Sequence, residues 1–299
     1  MESFSRAKTY YRRAKRLAIQ VRQPSSENDA SLGLALCDRG TGQWDKAEKG
    51  FREFLSRYRD KGDLEGVAFA LWALGTTRRF SGKFRGAEDS LRQSIRLYRK
   101  TADRVGLAYA LCGLGGTLRM RGRARESGRL YAAAQKIFRG HGDSFGVAYS
   151  QCGRSNATRM LGQLPRAMTG MAQAARLYAR LDQKGPRAFV LWSRAQAEIE
   201  LRQFRQAAVD LRTAGRLFGS VGDRRGLVYV NLGWGEWGRA QDLRQARGYY
   251  RKAFSSAKRL KLPFEAAHAR KGLGDRKAES LYRRMGVDLP LFRRYNALP

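Results

Sequence analysis

The sequence has few histidines, cysteines and acidic residues, and these shortages exclude several kinds of protein. Its two histidines, His141 and His268, stand far apart, which argues against a histidine-based metal site. Its three cysteines, Cys37, Cys112 and Cys152, have no CxxC spacing and form neither a zinc motif nor a disulfide framework. No apolar run approaches the roughly 20 residues of a membrane helix. We therefore expect a cytoplasmic protein with no metal, no cofactor and no insertion into a membrane.

Positive charge is what the chain has in excess. Among 299 residues there are 60 Lys and Arg against 26 Asp and Glu, which gives a formal net charge of +34. The excess is spread over both halves, so it belongs to the folded body and not to a tail. Hydrophobic residues make up 42% of the chain, enough to bury a core. These numbers favour a folded protein whose partner is acidic or polyanionic.

The sequence repeats itself every 40 residues. One anchor of the repeat is a dipeptide that recurs as Gly62-Asp63, Ala102-Asp103, Gly142-Asp143 and Gly222-Asp223, with Asp182-Gln183 as an irregular copy. A second anchor is a glycine at Gly42, Gly82, Gly122 and Gly162, and a third is a small residue at Ala7, Ala47, Ala87, Ser127, Ala167 and Ala207. Three anchors in one register indicate a repeat architecture.

Each repeat is predicted to form two helices. Small and apolar residues fall at helical spacing before Gly82 and again from Phe84 onward, as at Leu71, Leu91 and Ile95. Glycine tolerates the left-handed conformation that ends one helix, and aspartate caps the start of the next. The Gly-Asp pairs are therefore predicted to be structural, with no catalytic role.

The chain resembles the tetratricopeptide repeat family. The resemblance lies in Leu74-Gly75 with Ala87 and Leu91, and in Leu114-Gly115 with Ser127 and Tyr131. The 40-residue period is similar to the longer repeats of Pins/LGN-type scaffolds, although the copies at Arg154-Ser155 and Arg194-Ala195 lack the Leu-Gly pair. The resemblance implies an all-α fold, a right-handed superhelix of about seven helix hairpins.

The domain limits follow from the register. We expect one solenoid over residues 1–284 and a C-terminal capping tail over residues 285–299. The chain begins with half a repeat, a second-type helix at 5–21, followed by a loop over residues 22–28. Without its first-type partner this helix leaves Tyr10, Tyr11 and Leu17 partly uncovered, which predicts self-association or a partner at the N-terminus.

Stacking places equivalent residues of successive repeats side by side. Four columns of the first helices, at positions i, i+3, i+7 and i+10, share one stripe, which we name the first-helix stripe. Its candidate binding residues are aromatic, amide and arginine side chains: Phe69, Tyr109, Tyr149, Phe189 and Tyr229; Trp72 and Trp192; Asn156 and Gln196; Arg39, Arg79, Arg119, Arg159 and Arg239. A second basic column, on the second helices, contains Arg16, Arg96, Lys136, Arg176 and Arg216.

In proteins that the chain resembles, the first-helix stripe faces a concave groove that holds an extended peptide. Arginine pairs with carboxylates or phosphates, and aromatic rings add apolar surface. The leading hypothesis is a non-catalytic scaffold that binds an acidic segment of another protein in this groove. The alternative is binding of RNA or another single-stranded nucleic acid by the same groove. A third hypothesis is attachment to an anionic membrane surface, although the chain lacks an apolar helix face to insert. The structural interpretation is that the aromatics pack between helices and the arginines are solvated.

Catalytic patterns are weak. Gly233, Gly235 and Gly238 satisfy GxGxxG, but no predicted strand precedes them, so a dinucleotide site is not expected. Glu198 and Glu200 point to different faces of a helix, which is poor geometry for acid–base chemistry. The sequence does not predict an enzyme.

The second basic column is interpreted as a solvated edge, or as an extension of the positive surface around the solenoid.

Overall fold

The computed structural model describes residues 2–287, without the side chains of residues 2, 3 and 5. Within this part the regular structure is helical, with fifteen helices and no strand. The helices are α1 (Glu2–Gln20), α2 (Pro24–Gly40), α3 (Trp44–Asp60), α4 (Leu64–Phe80), α5 (Phe84–Lys100), α6 (Arg104–Met120), α7 (Ala124–Gly140), α8 (Ser144–Met160), α9 (Leu164–Arg180), α10 (Lys184–Glu200), α11 (Phe204–Ser220), α12 (Arg224–Arg239), α13 (Ala246–Arg259), α14 (Pro263–Gly272) and α15 (Lys277–Met285).

The helices confirm the predicted all-α hairpin repeat. The even-numbered helices are first helices and the odd-numbered ones from α3 onward are second helices, so α2 to α15 form seven hairpins. The predicted loop over residues 22–28 is wrong, because α2 already begins at Pro24. Proline lacks the N–H that a first helical position leaves unpaired, so it starts a helix readily. Of the predicted tail 285–299, residues 288–299 lie outside the described residues.

The turns between hairpins follow the chemistry expected of the Gly-Asp pair. Gly62 adopts φ +68°, and the Asp63 carboxylate accepts a hydrogen bond from the Gly66 N–H at 2.8 Å. The same cap recurs at the start of α6, α8 and α12 with distances of 2.7–2.8 Å. The glycine after the cap is also needed, because a Cβ on Gly146 would lie 2.3 Å from the Phe138 ring. The structural interpretation of these pairs is confirmed.

The chain forms two compact units, Met1–Ala110 and Leu111–Pro299, which we name unit 1 and unit 2. The chain passes from one to the other within α6. In unit 1 the core packs Phe51 and Phe54 of α3 against Leu71 and Leu74 of α4. Unit 2 has an equivalent core, which includes Met171 of α9. Burial of each such side chain contributes about 1.5–3 kcal/mol. A single solenoid over residues 1–284 stays a prediction.

Candidate ligand-binding site

In unit 1 the first-helix stripe is half-buried and combines rings with a cation. The Arg39 guanidinium lies 5.3 Å from the ring centroid of Trp72, and its Nη1 donates to Thr76 Oγ1 at 3.0 Å. The rings of Phe69 and Trp72 are 5.6 Å apart. Stacking on a ring and bonding to a hydroxyl hold the guanidinium in place while part of it faces solvent. Three predicted residues, Arg39, Phe69 and Trp72, therefore form one cluster.

The two other predicted residues of unit 1 are also half-buried. The Arg79 guanidinium lies 4.8 Å from the ring centroid of its neighbour Phe80. Tyr109 is on the N-terminal half of α6. Unit 1 thus presents a stripe of rings and arginines that a ligand can reach from solvent.

In unit 2 most of the stripe is buried. The sequence pattern did not predict this difference, because the two units share the same columns. Six of its predicted residues are buried, with at most 8% of their surface exposed: Arg119, Asn156, Arg159, Trp192, Gln196 and Tyr229. Tyr149 and Phe189 are half-buried, and Arg239 is exposed with its Nε 3.3 Å from the Tyr250 hydroxyl.

Three predicted aromatic residues of unit 2 meet in one cluster. The ring centroids of Phe189 and Trp192 are 5.4 Å apart, and Tyr229 lies 4.9 Å from Trp192 and 5.7 Å from Phe189. These distances lie within the range in which aromatic pairs attract each other beyond their burial. The Tyr149 ring instead stacks on Phe145, at 6.4 Å. The aromatic column thus joins two neighbouring helices, α10 and α12.

Arg159 is fully buried and forms an ion pair. Its Nη1 donates to Glu200 Oε1 at 2.5 Å, and the Glu200 side chain is 24% exposed. Burial raises the pKa of Glu200, while the charge and hydrogen bond of Arg159 lower it. A paired arginine of this kind has its charge compensated within the protein. Arg159 therefore contributes to packing between α8 and α10.

Arg119 is a buried cation with two guanidinium nitrogens that are not satisfied. Its Nε and Nη1 are buried and have no hydrogen-bond partner within the described residues. Its positive charge acts on the Cys152 thiol and on the Tyr229 hydroxyl, which locates it beside the aromatic cluster. Burial raises the pKa of Cys152 to about 12, and the charge of Arg119 opposes that rise. A buried charge without a counter-charge is costly, so this position favours an anion.

Further buried polar atoms of the stripe on α8 and α10 are unpaired. Asn156 Nδ2 donates to Ser193 Oγ at 3.1 Å, but its Oδ1 has no partner among the described residues. The same holds for Trp192 Nε1 and for both amide atoms of Gln196. A Cβ on Gly233 would lie 3.1 Å from Gln196 Nε2 and 3.2 Å from Trp192 Nε1, so both donors lie against the same point of α12. Each such group left unpaired costs about 1–3 kcal/mol.

Sequence reasoning missed the acidic and histidine residues that border this cluster. Glu265 Oε1 accepts from the Tyr229 hydroxyl at 2.9 Å and from Arg225 at 3.0 Å. Glu236 Oε1 lies 2.6 Å from His268 Nε2, and His268 Nδ1 lies 3.0 Å from the Tyr282 hydroxyl. Glu236 lies 40 residues after Gln196, in the same column of the first-helix stripe, and this position was the one sequence signal for it. The partners lie on α14 and α15, where the 40-residue register is lost.

Two kinds of feature, a membrane-spanning helix and a metal-binding group, are absent from the described part of the chain. No helix there is long and apolar enough to cross a membrane. No group of three or more His, Cys, Asp and Glu residues there is arranged to hold a metal ion. All three cysteines are buried, and none of them forms a disulfide within the described residues.

Comparison with known proteins supports the repeat assignment. Residues 26–100 match the tetratricopeptide repeat family, so the predicted resemblance is confirmed. Comparison with curated proteins finds no match.

Several solved structures share the fold at low sequence identity. A Rap protein complexed with competence and sporulation factor has a TM-score of 0.66 at 13% identity, over 90% of this chain and 76% of that one. The Rap conjugation gene regulator of plasmid pLS20 in complex with the Phr* peptide has a TM-score of 0.64 at 10% identity, over 91% and 76%. Aspartyl phosphate phosphatase F from Bacillus subtilis has a TM-score of 0.63 at 11% identity, over 95% and 76%. At such identities the likeness concerns the fold.

Proposed function

We propose that the chain is a non-catalytic binding scaffold, and that the first-helix stripe holds an acidic peptide segment. The observation that carries the proposal is Arg119, a buried guanidinium with two unpaired nitrogens beside an aromatic cluster. A carboxylate is the group that best compensates such a charge, since it accepts hydrogen bonds from the planar fork of arginine. One structure of similar fold contains the Phr* peptide by its own description, and another is a complex with competence and sporulation factor, which supports a peptide as the ligand.

The unpaired polar atoms on α8 and α10 suit a peptide. Gln196 offers an amide donor and an acceptor, Trp192 offers an N–H, and Asn156 offers a carbonyl oxygen. All three side chains are buried in the free protein, so they pair with the backbone of an extended chain only when the helices around them move apart, while Phe189 and Tyr229 provide apolar contact. The half-exposed stripe of unit 1 supplies the same chemistry, ring and arginine, in a more accessible form. Affinity then comes from several modest contacts, and the charge makes the rate of association depend on salt.

The test starts from short random peptides, selected for binding to the full chain. We expect the enriched peptides to contain Asp or Glu. Replacing the acidic residue of a bound peptide by its amide is expected to weaken binding to the natural protein about ten-fold. The same replacement is expected to have little effect on binding to the Arg119→Met variant, because Arg119 and the peptide carboxylate form one coupled pair. Lys184→Met, which removes one exposed charge at the start of α10, is the matched control and retains the ten-fold difference.

Two results would contradict the proposal. One is the enrichment of peptides without acidic residues. The other is an acid-to-amide effect of equal size in Arg119→Met and in the natural protein, which would locate the carboxylate elsewhere.

We also propose that the N-terminal helix covers its apolar side chains by self-association. Helix α1 packs on α2, where the Tyr11 ring lies against Gly33. Tyr10 is nevertheless 66% exposed, and Leu17 and Ile19 are exposed as well. An apolar patch of this kind is typical of a contact surface. Light scattering is expected to show a dimer that Leu17→Ser with Ile19→Ser converts to a monomer; a monomer at high concentration in the natural protein would refute self-association.

A further inference from the structure

Four second helices of unit 2, α7, α9, α11 and α13, which we name its outer helices, expose almost only positive charge. They contain two acidic residues, Glu126 and Asp210. Glu126 is half-buried and pairs with Arg123 at 2.6 Å, and buried Asp210 accepts from Arg194 at 2.6 and 2.7 Å. The exposed basic residues of these four helices number fifteen: Arg125, Arg129, Lys136, Arg139, Arg166, Arg176, Arg180, Arg205, Arg212, Arg216, Arg247, Arg251, Lys252, Lys258 and Arg259.

The repeat orders part of this charge into a line. Lys136, Arg176 and Arg216 are 40 residues apart, occupy equivalent positions on three second helices and are all exposed. Residues at equivalent positions of stacked repeats form a ladder across the surface. A ladder of cations with no acidic residue between them holds a row of negative charges and repels other cations.

A groove with an aromatic wall lies within this basic surface. It has a volume of about 580 Å³ between α11 and α12, and it is lined by Val209, Arg212, Arg216, Val230 and Trp234 among others. The Trp234 ring stacks on Tyr249 with centroids 6.0 Å apart and planes inclined by 25°.

A lysine lies next to the second ring of this pair, Tyr249. Lys252 Nζ lies 5.8 Å from the ring centroid of Tyr249. Half-buried Trp234 and Tyr249 are thus bordered by Arg212 and Arg216 on one side and by Lys252 on the other. A flat ring next to cations is the arrangement that holds a nucleobase together with its phosphate.

From the one-signed surface and its aromatic groove, we infer that the outer face of unit 2 binds single-stranded nucleic acid. The phosphates lie along the ladder of cations, and a base enters the groove beside Trp234. A flexible single strand adjusts its phosphates to cations that are staggered over four helices. Acidic protein or an anionic membrane uses the charges equally well, but neither explains the half-buried tryptophan ring in the groove. This function is separate from peptide binding on the first-helix stripe.

The experiment measures the fluorescence anisotropy of a labelled oligouridylate with the full chain at increasing salt. We expect binding at physiological salt with a steep salt dependence, since each neutralised phosphate releases counterions. Charge reversal by Lys136→Glu, Arg176→Glu and Arg216→Glu together is expected to weaken binding by at least about ten-fold at that salt. The matched control is Arg85→Glu, Arg99→Glu and Lys100→Glu on α5 of unit 1, which reverses the same number of exposed charges outside the second basic column and is expected to have a much smaller effect.

Trp234→Leu tests the ring separately from the charges. Loss of one stacked base is expected to weaken binding by about 5- to 100-fold without changing the salt dependence. Arg119→Met is expected to leave oligouridylate binding unchanged, which separates a failure here from a failure of the peptide site. Polyglutamate of equal charge, or phosphatidylserine vesicles, binding as tightly as the oligouridylate would overturn the inference. An equal loss in the α5 control would also overturn it.

Discussion

The two units carry the same repeat but use its columns differently. In unit 1 the first-helix stripe is half-exposed, and the outer helices α3 and α5 mix basic residues with the exposed acidic residues Asp45, Glu53, Asp60 and Asp89. In unit 2 the stripe is mostly buried, and the charged side chains on the outer helices α7, α9, α11 and α13 that reach solvent are basic, apart from half-buried Glu126. Equivalent positions in a repeat therefore do not have equivalent environments. Which residues a ligand reaches depends on the longer-range contacts of each unit.

The two tryptophans of the second column give the largest expected difference between the units. Trp192 is fully buried, whereas Trp72 is half-buried at the equivalent position. Trp192→Ala is expected to lower the free energy of unfolding by about 3–5 kcal/mol, because it leaves a cavity in a packed site. Trp72→Ala is expected to cost clearly less. Urea unfolding of both variants measures the difference, and equal losses would mean that the units bury this column alike.

The arginine column offers a second comparison. Arg159→Ala removes a fully buried side chain and leaves Glu200 without its partner. We expect a loss of about 2–4 kcal/mol, somewhat reduced because Glu200 is partly exposed. Arg39→Ala in unit 1 removes the hydrogen bond to Thr76 and the contacts with the rings of Trp72 and Phe51 at a half-exposed site, and about 1 kcal/mol is expected. A small effect of Arg159→Ala in urea unfolding would show that the Glu200 pair contributes little.

A buried carboxyl in unit 2 predicts a pH dependence. Burial raises the pKa of Glu198 from 4.5 to about 7, the charge of Asp210 adds to the rise, and Arg194 opposes it. The unfolded chain releases this proton near pH 4.5, whereas the folded chain retains it up to about pH 7. Stability is therefore expected to fall as the pH rises through this window and to stay level above it.

The Glu198→Gln variant isolates this group. It is expected to lack that part of the pH dependence and to gain about 1–2 kcal/mol over the natural protein at pH 8. Urea unfolding at pH 5 and pH 8 is the measurement. If the free energy of unfolding changes by the same amount between pH 5 and pH 8 in the natural protein and in the variant, Glu198 is already charged at pH 5.

Much of the fold could be predicted from the sequence because it depends on local chemistry. Asp63 caps a helix, Gly62 ends one, and Gly146 admits the Phe138 ring, and each of these roles lies within one repeat. The predicted loop over residues 22–28 is wrong because a proline followed by serines is typical of a break between helices, whereas here Pro24 starts α2. Local patterns thus predict hairpins well and boundaries less well.

The candidate site was harder to predict, for a physical reason. The stripe could be placed on one face of the first helices, since the spacing of its columns is helical. Its burial in unit 2 depends on pairs far apart in sequence, such as Arg159 with Glu200 and Glu236 with His268. Arg119 and Arg159 occupy the same column of the repeat. The column therefore does not predict that Arg159 forms an ion pair and Arg119 does not.

The central claim is that unit 2 keeps Arg119 unpaired for a ligand, at a cost in stability. The most direct measurement is the free energy of unfolding of Arg119→Met, compared by urea titration with the natural protein in the absence of peptide. An apolar side chain of similar length removes an uncompensated buried charge, so the account predicts a variant more stable by about 1–3 kcal/mol. A variant destabilised by a similar amount would show that Arg119 is already paired within the fold, and would contradict the account.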